Sequence, residues 1–255
     1  MFKTLLKLLV LFGIATYLVF ALTMLHKNRT HQVCTGLTIV ITPAMGGEQG
    51  EAPTQPDCGF VNENEVRQIL ISKKIFPEGR PLYDIDLSEI EEALVANQNI
   101  DDALCYKTAD GQISIRITPR RPVLHVLNQQ GEDFYIDNQG AVMARGHHQI
   151  DLIVMTGNVP RNTAGPRYAK LGVILSQDEF WGQQIQEIHV TPQGEMHITP
   201  KVGQHTIILG DTSDIEDKLR RMKTFYTEGL DKVGWNIYHT INLKYSNQII
   251  CTRSL

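Results

Sequence analysis

The sequence predicts an α+β protein: an N-terminal apolar helix, a strand-helix-helix-strand-strand unit, and a mostly antiparallel β-domain with a C-terminal helix and hairpin. Three observations carry this. Leu8 to Leu25 (LLVLFGIATYLVFALTML) contains no charged residue. Ile113 to Val126 (ISIRITPRRPVLHV) begins as a strict alternation, with Ile113, Ile115 and Ile117 opposite Ser114, Arg116 and Thr118. That is the period of a half-buried strand. Pro119 and Pro122 then bracket Arg120-Arg121, and each proline removes a ladder N–H and restricts its predecessor. Helix signals gather before this corner and strand signals after it. The corner therefore reads as a domain junction, with a tail at 1–7, a transmembrane helix at 8–25, a first domain at 35–119 and a β-domain at 122–255.

With 255 residues, 42% of them hydrophobic and 20% charged, the chain can bury one or two cores. A net charge of −4 gives no general reason to expect nucleic-acid binding. Cys34, Cys58, Cys105 and Cys251 are too far apart for a zinc knuckle or a CxxC pair. A Cys34–Cys58 disulfide in an oxidising compartment is the rival of four free thiols.

The apolar run is long enough to span a bilayer, and longer than a cleavable signal core, so it reads as a retained anchor. Lys3 and Lys7 precede it, and Lys27 and Arg29 follow, so the positive-inside count is nearly balanced. The short tail argues for a cytoplasmic N-terminus and an outer location for the rest. Leu37–Thr42 then reads as a strand, and the Gly- and Pro-rich Pro43–Gly59 as a surface excursion. Asn62 with Glu65, and Asp86 with Glu89, have capping-box spacing ahead of two helices. Ala103–Thr108 is a strand, and Ala109-Asp110-Gly111 turns it into the strand that begins at Ile113.

Beyond the junction, Val123–Leu127, Asp133–Asp137, Ala141–Ala144, Leu152–Thr156, Ile185–Val190, Met196–Ile198 and Thr206–Leu209 read as strands. Asn158–Pro166 reads as loop and Tyr168–Leu175 as a helical stretch. Ser213 and Glu216 have capping-box spacing for a further helix that Gly229 can stop. Its exposed side would carry Lys218, Arg220, Arg221 and Lys223, a solvated face by default. Ile241, Leu243 and Tyr245 alternate, Ser246-Asn247 turns, and Ile249–Arg253 returns as a closing hairpin.

No catalytic constellation stands out. His147-His148 has the wrong spacing for two ligands on one helix face. His189 and His197 sit on adjacent predicted strands without a carboxylate or thiol at ligand spacing. Glu89, Glu91 and Glu92 read as a solvated face, and no serine sits in a Gly-x-Ser-x-Gly elbow. No cofactor or metal is expected. These absences favour a binding protein over an enzyme.

The pattern resembles the FtsQ/DivIB family of bacterial division proteins over nearly the whole chain. The resemblance rests on Ile115-Arg116-Ile117 leading to Arg121-Pro122-Val123, then Phe134-Tyr135-Ile136-Asp137 with Gly140, and Val154 to Gly157. Leu209-Gly210 before the Lys218–Phe225 helix, and Ile241 to Tyr245, complete it. Lys244 to Arg253 looks most like members from Bacteroidetes-type bacteria, which implies a diderm cell with a periplasm. The Pro43–Gly59 loop is longer than the usual pattern.

The resemblance implies a POTRA domain before the junction and a non-enzymatic divisome scaffold in the inner membrane, with its bulk in the periplasm at the septum. It implies FtsB/FtsL-type partners and, through them, the FtsW/FtsI-type septal synthase. The family's partner site falls by position on Tyr245 and its neighbours Lys244, Ser246, Asn247, Gln248, Ile249 and Ile250. Pro119, Arg120, Arg121 and Pro122 would form a stiff spacer between the domains. A terminal strand independently offers a free edge for an added strand, with Tyr245 as an aromatic anchor. Rival readings are an anchored cell-wall hydrolase, for which the histidines are the only candidates, and a POTRA-type chaperone module.

Overall fold

The structure is a computed structural model that describes residues 12–21, 32–42, 60–145 and 150–253. Residues 12–21 form a helix, α1. At about 1.5 Å per residue it reaches roughly half the thickness of a hydrocarbon core. Among the described residues, no helix is long and apolar enough to cross a membrane. The 1–7 tail, the remaining residues of the predicted 8–25 span and the whole Pro43–Gly59 excursion, with its Cys58, lie outside the described residues, as do His147 and His148. The other described residues make two compact units, 32–42 with 62–118, and 60–61 with 119–145 and 150–253.

The first unit contains β1 (Leu37–Ile41), α2 (Glu63–Ser72), a 3-10 turn (Leu82–Asp84), α3 (Leu87–Val95), β2 (Ile100–Lys107) and β3 (Ile113–Pro119). Its sheet order is β1-β3-β2, with β1 parallel to β3 and Leu37 opposite Ile113. Asn62 Oδ1 accepts from the Glu65 N–H at 2.9 Å, and the Glu65 carboxylate accepts from the Asn62 N–H at 3.2 Å. That reciprocal box starts α2. Asp86 caps α3 through the N–H groups of Ser88 and Glu89. Val66, Leu70, Ile90, Leu94, Ile113, Ile115 and Ile117 are each at most 1% exposed. At roughly 1.5–3 kcal/mol for each buried side chain, these residues, with the buried Ile75, Leu82, Ile85 and Ile100, form the unit's apolar core. Cys34 is buried as a free thiol, and its Sγ donates to the Gly36 carbonyl at 3.4 Å.

The second unit begins with β4 (Pro122–Asn128), β5 (Asp133–Asp137), β6 (Val142–Met143), β7 (Val154–Gly157), α4 (Arg161–Gln177) and α5 (Glu179–Gln184). It continues with β8 (Ile185–Val190), β9 (Met196–Pro200), β10 (Thr206–Gly210), α6 (Ile215–Thr224), a π-helical turn (Phe225–Leu230), α7 (Asp231–Val233), β11 (Tyr238–Asn242) and β12 (Ile250–Arg253). One nine-stranded sheet runs β12-β11-β10-β9-β8-β7-β4-β5-β6. β8, β9 and β10 form the antiparallel meander expected from their spacing. β4–β7, β7–β8 and β10–β11 pair in parallel, which the sequence reading did not anticipate. Parallel neighbours need crossovers, and helices supply them between β7 and β8 and between β10 and β11.

The helical content of this unit exceeds the expectation. Residues Asn158–Pro166, read as loop, include the first turns of α4, with Pro166 inside the helix. Tertiary contact overrides local propensity here. A Cβ built on Gly165 would lie 1.8 Å from the Gly140 carbonyl oxygen, and one on Gly172 would meet Val123 and Leu124. The two glycines let α4 lie close against the sheet. The Ser213–Glu216 box does not form. Asp211 instead accepts from the Ser213 N–H and hydroxyl and from Lys218 Nζ, and these bonds hold its carboxyl down to about pKa 2. Gly229 does not stop the helix. The chain passes through it in the π-helical turn and ends α7 at Gly234, where φ is +103°.

The junction residues are bonded into the second unit. Arg120 Nη1 donates to Asp137 Oδ2 at 2.8 Å, and the Asn138 N–H donates to the Arg121 carbonyl at 3.1 Å. Asp137 is 1% exposed and also accepts from the N–H groups of Gln139 and Ala141 at 2.9 and 2.6 Å. Asp137→Ala leaves these donors without an acceptor, so thermal unfolding should show a loss of about 3–5 kcal/mol.

A second buried polar contact joins His205 Nε2 and the Tyr226 hydroxyl at 2.7 Å, tying the approach to β10 to the π-helical turn. Burial pushes the His205 pKa below its ordinary value. The unfolded chain therefore takes up a proton more readily than the folded one. Stability is complete above about pH 6.5 and falls as the pH drops towards the folded value. Thermal midpoints followed from pH 7.5 to 5 should decline, and His205→Gln should flatten that slope.

Candidate partner-binding edge

Four strands lie at sheet edges, and they differ in how their outward backbone groups are treated. In β1, the Leu37 N–H donates to Glu78 Oε1 at 3.1 Å, and the Leu37 carbonyl accepts from Arg67 at 3.4 Å. In β2, the Cys105 N–H donates to Glu91 Oε1 of α3 at 2.7 Å. Glu91 is thus an edge cap rather than part of a solvated face. β6 is only two residues long. β12 is four residues, and no side chain among the described residues caps its outer backbone. An uncapped edge is a template for another strand.

The predicted site residues gather beside this edge, though not in the predicted conformation. Alternation from Ile241 would place Tyr245 in the strand facing the core. β11 instead ends at Asn242, and Leu243 keeps one further bond, donating its N–H to the Ile208 carbonyl at 2.9 Å. The chain then bends away, leaving Tyr245 48% exposed. Ser246, Asn247 and Gln248 are exposed, with Asn247 in the left-handed region at φ +59°. Ile249 packs against the core, and Ile250 lies opposite Asn242 with its side chain half exposed. Together these residues offer an aromatic ring, two aliphatic contacts and unpaired strand backbone. That suits protein recognition.

Two side chains not singled out from sequence for this site, Glu195 and Arg221, shape the connection. Lys244 Nζ reaches Glu195 Oε1 at 2.7 Å, and this bond lowers the Glu195 pKa and raises that of Lys244. A Cβ on Gly210 would fall 2.8 Å from Lys244 Cγ, so the glycine leaves room for the lysine stem. Arg221 of α6 donates to the Gln248 and Leu243 carbonyls. Its helical neighbours Lys218 and Lys223 are likewise engaged, with Asp211 and Asp178. The basic face read as solvated is thus mostly consumed within the fold.

Among the described residues the histidines assemble no metal centre. His189 and His197 are direct cross-strand partners, but no group of three metal-capable side chains occurs among the described residues. The comparisons decide the family. The FtsQ/DivIB C-terminal-related family model matches residues 121–252, just over half of the chain, and a POTRA-like domain model matches 51–118. The chain belongs to the FtsQ/DivIB family. It is also 24% identical over 184 residues to the cell division protein FtsQ of Rhodothermus marinus, covering 68% of this chain and 67% of that protein. The FtsQ/DivIB match covers the nine-stranded sheet from β4 to Thr252, one residue short of the end of β12, and so includes the uncapped edge.

The Lys244–Glu195 pair is partly exposed, and screening limits its worth. Lys244→Ala should leave the midpoint of a denaturant titration nearly unchanged, because solvent screens the exposed lysine.

Proposed function

We propose that this chain is a non-enzymatic scaffold of the division machinery, anchored in the inner membrane by the 8–25 helix. The N-terminus is cytoplasmic and the bulk periplasmic, at the division septum. Its β-domain captures FtsB/FtsL-type partners along β12 and the Lys244–Ile250 connection, and through them acts on the FtsW/FtsI-type septal synthase. Pro119–Pro122 serves as the spacer between the two units. Membership of a division family supports the general role.

The observation that carries the site assignment is the uncapped backbone of β12 beside the exposed Tyr245 ring. A partner strand laid antiparallel or parallel on β12 gains backbone hydrogen bonds without displacing any internal cap. Tyr245 supplies large contact area at low conformational cost.

The test is capture of an FtsB/FtsL-type pair by the detergent-solubilised full chain. Tyr245→Ala should weaken capture by about 2 kcal/mol, and truncation after Tyr245, which removes β12, should abolish it. Undiminished capture by both variants, each with a wild-type circular dichroism spectrum, would sink the assignment.

A further inference from the structure

We infer that Arg221 is a positioning residue for the partner edge, a brace across the mouth of the β11–β12 connection; this rests on the docking role proposed above. The guanidinium leaves α6 and is only 13% exposed. Its Nε donates to Asp217 Oδ2, one turn earlier, at 2.7 Å. Its Nη1 donates to the Gln248 carbonyl at 2.7 Å and its Nη2 to the Leu243 carbonyl at 3.3 Å. Leu243 is where the chain leaves its pairing with β10, and Gln248 is just before β12 begins. One planar group therefore ties the two ends of the segment that carries Lys244, Tyr245, Ser246 and Asn247.

The geometry requires arginine. Only a guanidinium offers three N–H groups in fixed directions, one for the Asp217 carboxylate and two for separate carbonyls. Lysine at this position keeps the charge and reaches one acceptor at a time. The rest of the segment has little else to hold it: Lys244 has one exposed ion pair, the Lys244 N–H bonds to Asn242 Oδ1, and Asn247 takes up a left-handed conformation. Without the brace, the connection samples many shapes, and docking must pay the cost of ordering it. Leu243 and Ile241 stay fully buried in the sheet core, so the core itself does not depend on the brace.

Two readouts on the full chain test this, with Arg221→Lys as the main variant and Asp217→Asn as the second. Amide hydrogen exchange should speed up at residues 244–250 by about tenfold, with β8, β9 and β10 unchanged. Capture of the FtsB/FtsL-type pair should weaken about tenfold, with the thermal midpoint nearly constant. Asp217→Asn, which loosens the guanidinium but leaves it in place, should fall between wild type and Arg221→Lys. Unaltered exchange at 244–250 overturns the brace. Faster exchange with undiminished capture overturns its role in docking. Wild type that fails to capture the pair at all overturns the docking role first and the positioning role with it. A variant whose core strands also exchange faster marks Arg221 as a general stabiliser and overturns the assignment.

Discussion

Asp137 is the constraint on which the β-domain depends. Its buried carboxylate cannot stay charged in an apolar interior unless its oxygens are fully occupied. Arg120 supplies the countercharge, and the backbone of the Asp137–Ala141 turn supplies two more donors. Satisfying that carboxylate fixes the turn between β5 and β6. The turn presents Gly140 to Gly165, and the lack of a side chain at Gly165 lets α4 settle against the hairpin. α4 then covers Leu124, Phe134 and Ile136 with Tyr168, Leu171 and Leu175. A single buried charge thus sets the register between one end of the sheet and the helix that covers it.

The same contact changes the meaning of the proline corner. Read from sequence, Pro119 to Pro122 is a stiff spacer. In the structure both arginines are bonded into the β5–β6 turn, although the Arg121 side chain stays exposed. One bonds by its side chain and the other by its carbonyl to the Asp137–Asn138 turn. Pro122 biases Arg121 towards extended backbone, and the Arg120 side chain reaches the buried acid.

Much of the fold was legible because its determinants are local. The Ile113–Ile117 alternation, the Asn62–Glu65 box and the Asp110-Gly111 turn each name their structure within a few residues. α4 was not legible in its first turns, because Gly165 and Pro166 argue against a helix locally and only the Gly140 contact explains them. The Ser213–Glu216 spacing misled for a related reason. Asp211 lies two residues upstream and binds both the Ser213 hydroxyl and Lys218, so the serine is not free to cap. For the proposed site, sequence put Lys244–Ile250 beside a terminal edge, where the structure has them, yet put Tyr245 in a strand. Sequence periodicity continues past Leu243, but the strand pairing does not. Arg221 was hidden in a run of like charges, where composition cannot tell a solvated side chain from one that crosses to another element.

The treatment of the edges shows why β12 differs from the rest. Leaving backbone N–H and C=O groups exposed in a strand is a liability, and three edges are dealt with by side-chain caps or by brevity. Arg67 and Glu78 cost the first unit two ordered side chains at β1, and Glu91 caps β2 from a helix. At the end of the larger sheet the chain spends comparable polar groups differently. Arg221, Asp217, Lys244 and Glu195 all act on the connection before β12 and none on the β12 backbone. A fold that needed only to protect this edge would place a cap there, as it does at β1. Ordering the approach while leaving the edge itself unpaired is what the proposed docking role requires, because the entropy of the loop is lost on folding and not again on association.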